Sequence, residues 1–171
     1  MQDQIINKVE KSGLIQINLE DWLDNRTISI YDISQNLFQG LVLREKDFRE
    51  FIKEHDWSTY QNQHVGIVTT KDAIIPTWAY MLLISAIQPY AYSVIVGDQQ
   101  EVIKTQLIKK INELDMHRYK DAKIVIKGCS DQDIPNSVYA ELTRIFLPHA
   151  KSIMFGEPCS TVPVYKRKLK K

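Results

Sequence analysis

With 171 residues, 44% of them hydrophobic and 25% charged, and with only six Gly and six Pro, the chain has the makeup of one compact globular domain, which excludes disordered and fibrous classes. Its formal charge of +1 hides a division: Lys166, Arg167, Lys168, Lys170 and Lys171 crowd the last six positions, and without them 17 basic residues face 21 acidic ones. A slightly acidic body does not attract phosphate backbones, so nucleic acid is not an expected partner.

Met1 to Glu10 carries acids and amides where an export signal needs a basic start and an unbroken apolar core. Leu14 to Leu19 alternates like a half-buried strand, Thr27 to Ile30 reads as a second strand and Gly40 to Leu43 as a third. This β-rich N-terminal extension is expected at a sheet edge. Phe48, Phe51, Ile52 and His55 then share one face of a helix from about Glu45 to Asp56.

From residue 64 short β-branched runs alternate with longer stretches of helical spacing, the pattern of strand–helix units with parallel strands. The strands are Val65 to Val68, Ser93 to Val96, Lys123 to Ile126 and Ser152 to Phe155. Ile103, Leu107, Ile111 and Leu114 form one apolar helix face, and Val138, Leu142, Ile145 and Phe146 another. The segment Trp78 to Ile87 is apolar almost all round, so it is expected to be buried on both sides, under another layer of the chain or against a second subunit in a homodimer. It is only about half of the roughly 20 residues that span a bilayer, so no membrane contact is expected. Two cysteines in a chain able to build its own core do not make a disulfide framework, which points to a reducing compartment and a cytoplasmic location. The expected fold is α/β: a largely parallel sheet with helices on both faces, in a three-layer, Rossmann-like or flavodoxin-like order. Residues 1–165 are expected to form a single domain, with 166–171 as a basic, disordered tail.

Three strands end alike, in an apolar run, a glycine and a reactive or charged residue: Ile95-Val-Gly-Asp98, Ile126-Lys-Gly-Cys129 and Met154-Phe-Gly-Glu157. The strand before them ends Val68-Thr-Thr70. Glycines 31 and 28 residues apart are separated by one strand–helix unit each, so the tips should share the sheet edge where open α/β sheets bind ligands. Glycine there either admits a ligand to the backbone or merely ends its strand.

Cys129 and Cys159 allow three readings. As thiolates they serve nucleophilic or redox catalysis, with Asp98 or Glu157 as acid or base. As soft ligands they hold a metal such as zinc, with His64, Asp98 or Glu157 completing the shell. As small apolar residues they lie in the core. Ser130, Ser160 and Thr161 offer hydroxyls for a small anionic ligand, and Thr70 and Asp72 flank a helix start whose amides favour an anion. His55, His117 and His149 read as structural or solvated. There is no dinucleotide fingerprint, so no nucleotide cofactor is expected, and no Ser-His-Asp order or paired-carboxylate spacing names a reaction.

The motifs Asp72-Ala-Ile-Ile-Pro-Thr-Trp-Ala-Tyr-Met-Leu-Leu83, Lys127-Gly-Cys-Ser130, Gly156-Glu-Pro-Cys-Ser-Thr-Val-Pro163, Gly40-Leu-Val-Leu-Arg-Glu-Lys-Asp-Phe-Arg49 and His55-Asp-Trp57 resemble the bacterial family called domain of unknown function 2480, from about Ile5 to Tyr165. The family name carries no activity. The resemblance implies a cysteine near the strand tip before Asp72, where this chain has Thr69 and Thr70, so a three-thiol site would keep only Cys129 and Cys159. The functional expectation is a module for a small anionic ligand or a metal, or a thiol-based enzyme, with its site at the carboxyl ends of the strands. The alternative is a non-catalytic homodimeric scaffold with both cysteines in the core.

Overall fold

The computed structural model describes residues 14–128, 133–157 and 160–168. In chain order its elements are β1 (Leu14–Ile17), β2 (Ile28–Asp32), α1 (Glu45–Glu54), β3 (His64–Val68), α2 (Thr77–Ile87), β4 (Ser93–Val96), α3 (Gln99–Asn112), β5 (Lys123–Ile126), α4 (Asn136–Phe146), β6 (Ser152–Glu157) and β7 (Ser160–Lys166). The result is a mixed α/β protein whose strands are mostly parallel. They pair as two sheets, and the chain divides into two compact units, Asp24–Thr105 and Met1–Leu23 with Gln106–Lys171.

The first unit carries the sheet β2-β3-β4, all parallel. Its central strand, β3, is buried from His64 to Ile67, as a parallel strand covered on both faces should be. Val65 and Ile67 pack with Tyr31 and Ile33 from the β2 side, with Phe48 of α1, with Trp57, and with Ala79, Leu83 and Ile87 of α2. The indole of Trp57 donates to the Ile52 carbonyl at 2.8 Å, which satisfies its one polar atom. Helix α2 is buried along Ala79, Leu83 and Ile87, while Trp78, Tyr80, Leu82, Ile84 and Ala86 are half-buried against the same core. Its outward line is Thr77, Met81 and Ser85, so the all-round apolar sequence leaves one large apolar residue, Met81, 68% exposed.

The second unit carries β1-β5-β6-β7, in which β1, β5 and β6 run parallel and β7 returns antiparallel beside β6. Ile124, Val125 and Ile126 are buried with Ile17 and Ile153, and Val138, Leu142 and Phe146 of α4 are fully buried, the face expected of that helix. Strands β1 and β2 each lie at the edge of a sheet.

Two segments differ from the sequence reading. Gly40 to Leu43 is not a strand: Gln39 and Gly40 have φ of 52° and 72°, closing a tight turn in which the Phe38 amide donates to the Val42 carbonyl at 2.8 Å. Conversely, Ser160–Lys166 forms a strand despite Pro163, because an edge strand tolerates a missing donor that faces solvent. That strand also holds Lys166, the first residue of the expected tail, and Arg167 pairs with Asp121 and donates to the His149 carbonyl at 2.8 Å.

Gly66 marks a close approach within the three-stranded sheet: a Cβ there would lie 2.6 Å from the Gly97 carbonyl oxygen and 2.9 Å from Ile30 Cδ1. Gly66→Ala therefore forces the backbone of β4 away from β3, and chemical denaturation should show a loss of about 1–3 kcal/mol, the usual range for overpacking.

Candidate functional site

Parallel pairing brings strand ends together, and the carboxyl end of the three-stranded sheet is closely tied. Asp32, the last residue of β2, accepts the Ser34 amide at 2.9 Å, the Thr70 hydroxyl at 2.5 Å and the Thr70 amide at 3.3 Å. Burial pushes its carboxyl up, but these bonds outweigh burial and hold it below the usual aspartate value. Ser34, 1% exposed, accepts the amides of Thr70 and Lys71 at 2.9 and 3.2 Å and shares a 3.0 Å contact with the Thr69 hydroxyl. Thr70 is thus committed to the fold. Asp72 lies exposed beyond it, and α2 begins after Pro76 with no side-chain cap.

Asp98 follows Gly97 at the end of β4 and accepts the Glu101 amide at 3.0 Å, while its carbonyl accepts from Val102. That is the bonding of a helix N-cap, and Asp98-Gln-Gln-Glu101 is the sequence signature that announces one. His64, weighed as a metal ligand, opens β3 and so sits at the other end of its strand from Thr70, buried and bonded to Ser93.

At the carboxyl end of the four-stranded sheet, Ile126 of β5 lies opposite Phe155 of β6 in parallel register. Cys129, Ser130 and Cys159 lie outside the described residues, but their flanks are placed: Gly128 lies against the Phe155 ring, and Glu157 pairs with Ser160 across the link formed by Pro158 and Cys159. Glu157 is half-buried and has no ion-pair partner among the described residues. The Thr161 hydroxyl faces Met154 Sδ at 3.8 Å.

The three strand-end glycines are filled by the protein itself. A Cβ at Gly97 would meet Glu101 Cβ at 2.5 Å, one at Gly128 the Phe155 ring at 2.5 Å, and one at Gly156 the Ser160 carbonyl at 2.8 Å. At all three the space a Cβ would take is occupied by the protein's own atoms, and Gly156 lies within β6, paired with Thr161 of β7.

The described residues contain no group of three or more His, Cys, Asp or Glu able to hold a metal ion. A cleft of about 390 Å³ runs along β1, lined by Ile15, Gln16, Ile17, Asn18, Asp21, Trp22, Arg118 and Tyr119, none of them anticipated from the sequence. Its Asn18 and Asp21 are bonded to one another at 3.0 Å, whereas Arg118 has no acidic partner among the described residues.

Residues 3–167 match the family described as protein of unknown function, DUF2480. The chain belongs to that family. No curated protein and no solved structure matches it. The DUF2480 match spans residues of both compact units. In this DUF2480 chain, Thr69 and Thr70 stand near the strand tip where the sequence resemblance implies a cysteine, and their hydroxyls are held by Ser34 and Asp32.

Asp98→Ala should lower stability by about 1 kcal/mol in urea unfolding, the ordinary loss of an N-cap. A much larger loss, or none, would show that Asp98 is not acting as a simple cap.

Proposed function

We propose that the protein is a small-ligand module whose chemistry is carried by Cys129 and Cys159 at the carboxyl end of the four-stranded sheet. The observation that carries this reading is the parallel register of β5 and β6, which makes neighbours of the strand tips that lead into the two cysteines. Glu157, half-buried at the end of β6 and without an ion-pair partner among the described residues, would supply a carboxylate, and Ser130, Ser160 and Thr161 hydroxyls for a small anion. Thr70, Asp72 and Asp98 are left out of this set, since Thr70 and Asp98 have structural bonds and all three follow strands of the other sheet.

Two thiolates and a carboxylate are donors suited to zinc, with a further position open for a ligand. The same thiolates without metal would act as nucleophile and partner, Cys129 attacking and Glu157 serving as acid or base. Either use requires reduced thiols, which fits the cytoplasm. The burial of β3 on both faces supports the expected layering of helices on both sides of a parallel sheet.

Elemental analysis of untagged, natively purified protein, with thiol titration before and after denaturation, tests the reading. Stoichiometric zinc that disappears in the Cys129→Ser, Cys159→Ser double variant would support metal binding. Metal-free protein with two readily titrated thiols would support thiol chemistry, and metal-free protein with both thiols hidden until denaturation would refute both.

A second reading is favoured by one observation: Met81 on α2 is 68% exposed, and Ile74 just before that helix is 91% exposed. A homodimer covering this face would make the protein a scaffold. Light scattering at micromolar concentration should then report twice the chain mass for the native protein and a monomer for Met81→Glu; a native monomer removes this reading.

A further inference from the structure

The amino end of the three-stranded sheet holds a second cluster, at the far end of β3 from Asp32 and Thr70. His64 opens β3 and Ser93 opens β4, and the register sets them side by side. His64 is 2% exposed, with Nδ1 2.6 Å from Ser93 Oγ. Its Nε2 faces Asp24 Oδ2 at 3.7 Å, beyond hydrogen-bond reach, and has no hydrogen-bond partner among the described residues. Asp24 is paired with the Arg26 guanidinium, which lies 3.9 Å over the Tyr92 ring, and Tyr92 stands edge-on to His64 at 5.1 Å. Asp24 is also the residue at which the chain enters this compact unit after leaving the other.

We infer that Asp24, His64 and Ser93 form a proton-sensitive latch that fastens the entering chain to the amino end of the three-stranded sheet, closed while His64 is neutral and opened by acid. The neutral ring suits its surroundings. With the proton on Nε2, facing the Asp24 carboxylate, Nδ1 accepts from the Ser93 hydroxyl. A second proton would turn that acceptor into a donor and place a charge where water does not reach. The groups that face the ring pull in different directions: Asp24 favours the charged form, Arg26 opposes it, and Tyr92 and Ser93 are neutral.

Burial is the largest influence and lowers the His64 pKa below its ordinary value of 6.5; the charge of Arg26 adds to it, while Asp24 offsets part. The sign follows. A histidine that binds protons less well closed than open contributes its full stabilisation above about pH 6.5, and this is lost as pH falls from there towards the lowered value.

Hydrogen exchange followed by mass spectrometry from about pH 7.5 to about pH 5, corrected for intrinsic rates, reads the latch at peptides spanning Asp24 to Tyr31. Opening should increase by up to about tenfold per pH unit below 6.5, and His64→Gln, which keeps a polar partner for Ser93 but cannot titrate, should abolish that dependence. Exchange in this segment that is independent of pH, or a dependence that survives in His64→Gln, overturns the inference. NMR titration of the His64 ring in the unaltered protein decides the matter even if the variant does not fold. A midpoint below 6.5 is expected, and one at or above 6.5 would mean that Asp24 holds the charged ring, so acid tightens the contact.

Discussion

Parallel pairing is the constraint from which the rest of this structure follows. A parallel strand cannot be joined to its neighbour by a tight turn, so β2, β3 and β4 are separated by helical crossovers whose apolar faces then cover the sheet. Coverage on both sides is what lets β3 read as His-Val-Gly-Ile-Val without polar alternation. The same pairing aligns strand ends, so chemically distinct residues far apart in sequence collect at one end or the other of each sheet. Asp32 meets Thr70 at one end and His64 meets Ser93 at the other, and neither meeting has any other cause.

The two ends of the three-stranded sheet use polar groups differently. At the carboxyl end Asp32 and Ser34 are saturated with donors from the following loop, which fixes that loop's path and leaves few free groups for a ligand. At the amino end the bonding is less complete, since one buried nitrogen of His64 has no hydrogen-bond partner among the described residues. A satisfied network rigidifies, whereas an unsatisfied buried group leaves the local balance open to change by a proton. The four-stranded sheet differs again: at its carboxyl end Glu157 has no ion-pair partner among the described residues, and the chain after β5 and β6 leads into the two cysteines, which is why the proposed chemistry lies there.

Much of this was legible in the sequence. The runs Ser93 to Val96 and Lys123 to Ile126 became strands with those bounds, because β-branched residues between turn signals leave little choice, and Val138, Leu142 and Phe146 became the buried stripe of α4. The failures have specific causes. Pro163 concealed β7, since a proline rules out a central strand but not an edge one. Gln39 and Gly40 hid a left-handed turn within an apparent strand. The contact of His64 with Ser93, 29 residues apart, depends on strand register, which no local pattern encodes.

Pro163 has a consequence outside the molecule. Strand β7 lies at the border of its sheet and shows Val162 and Val164 to solvent, 63% and 51% exposed, beside Phe155 on the paired strand. Such a border is a template onto which a strand from another chain could add, and successive additions lead to aggregation. A proline between the two valines removes one donor from the row an incoming strand would need. The residue that disguised this strand in the sequence thus also makes its border a poorer template for a strand added edge to edge.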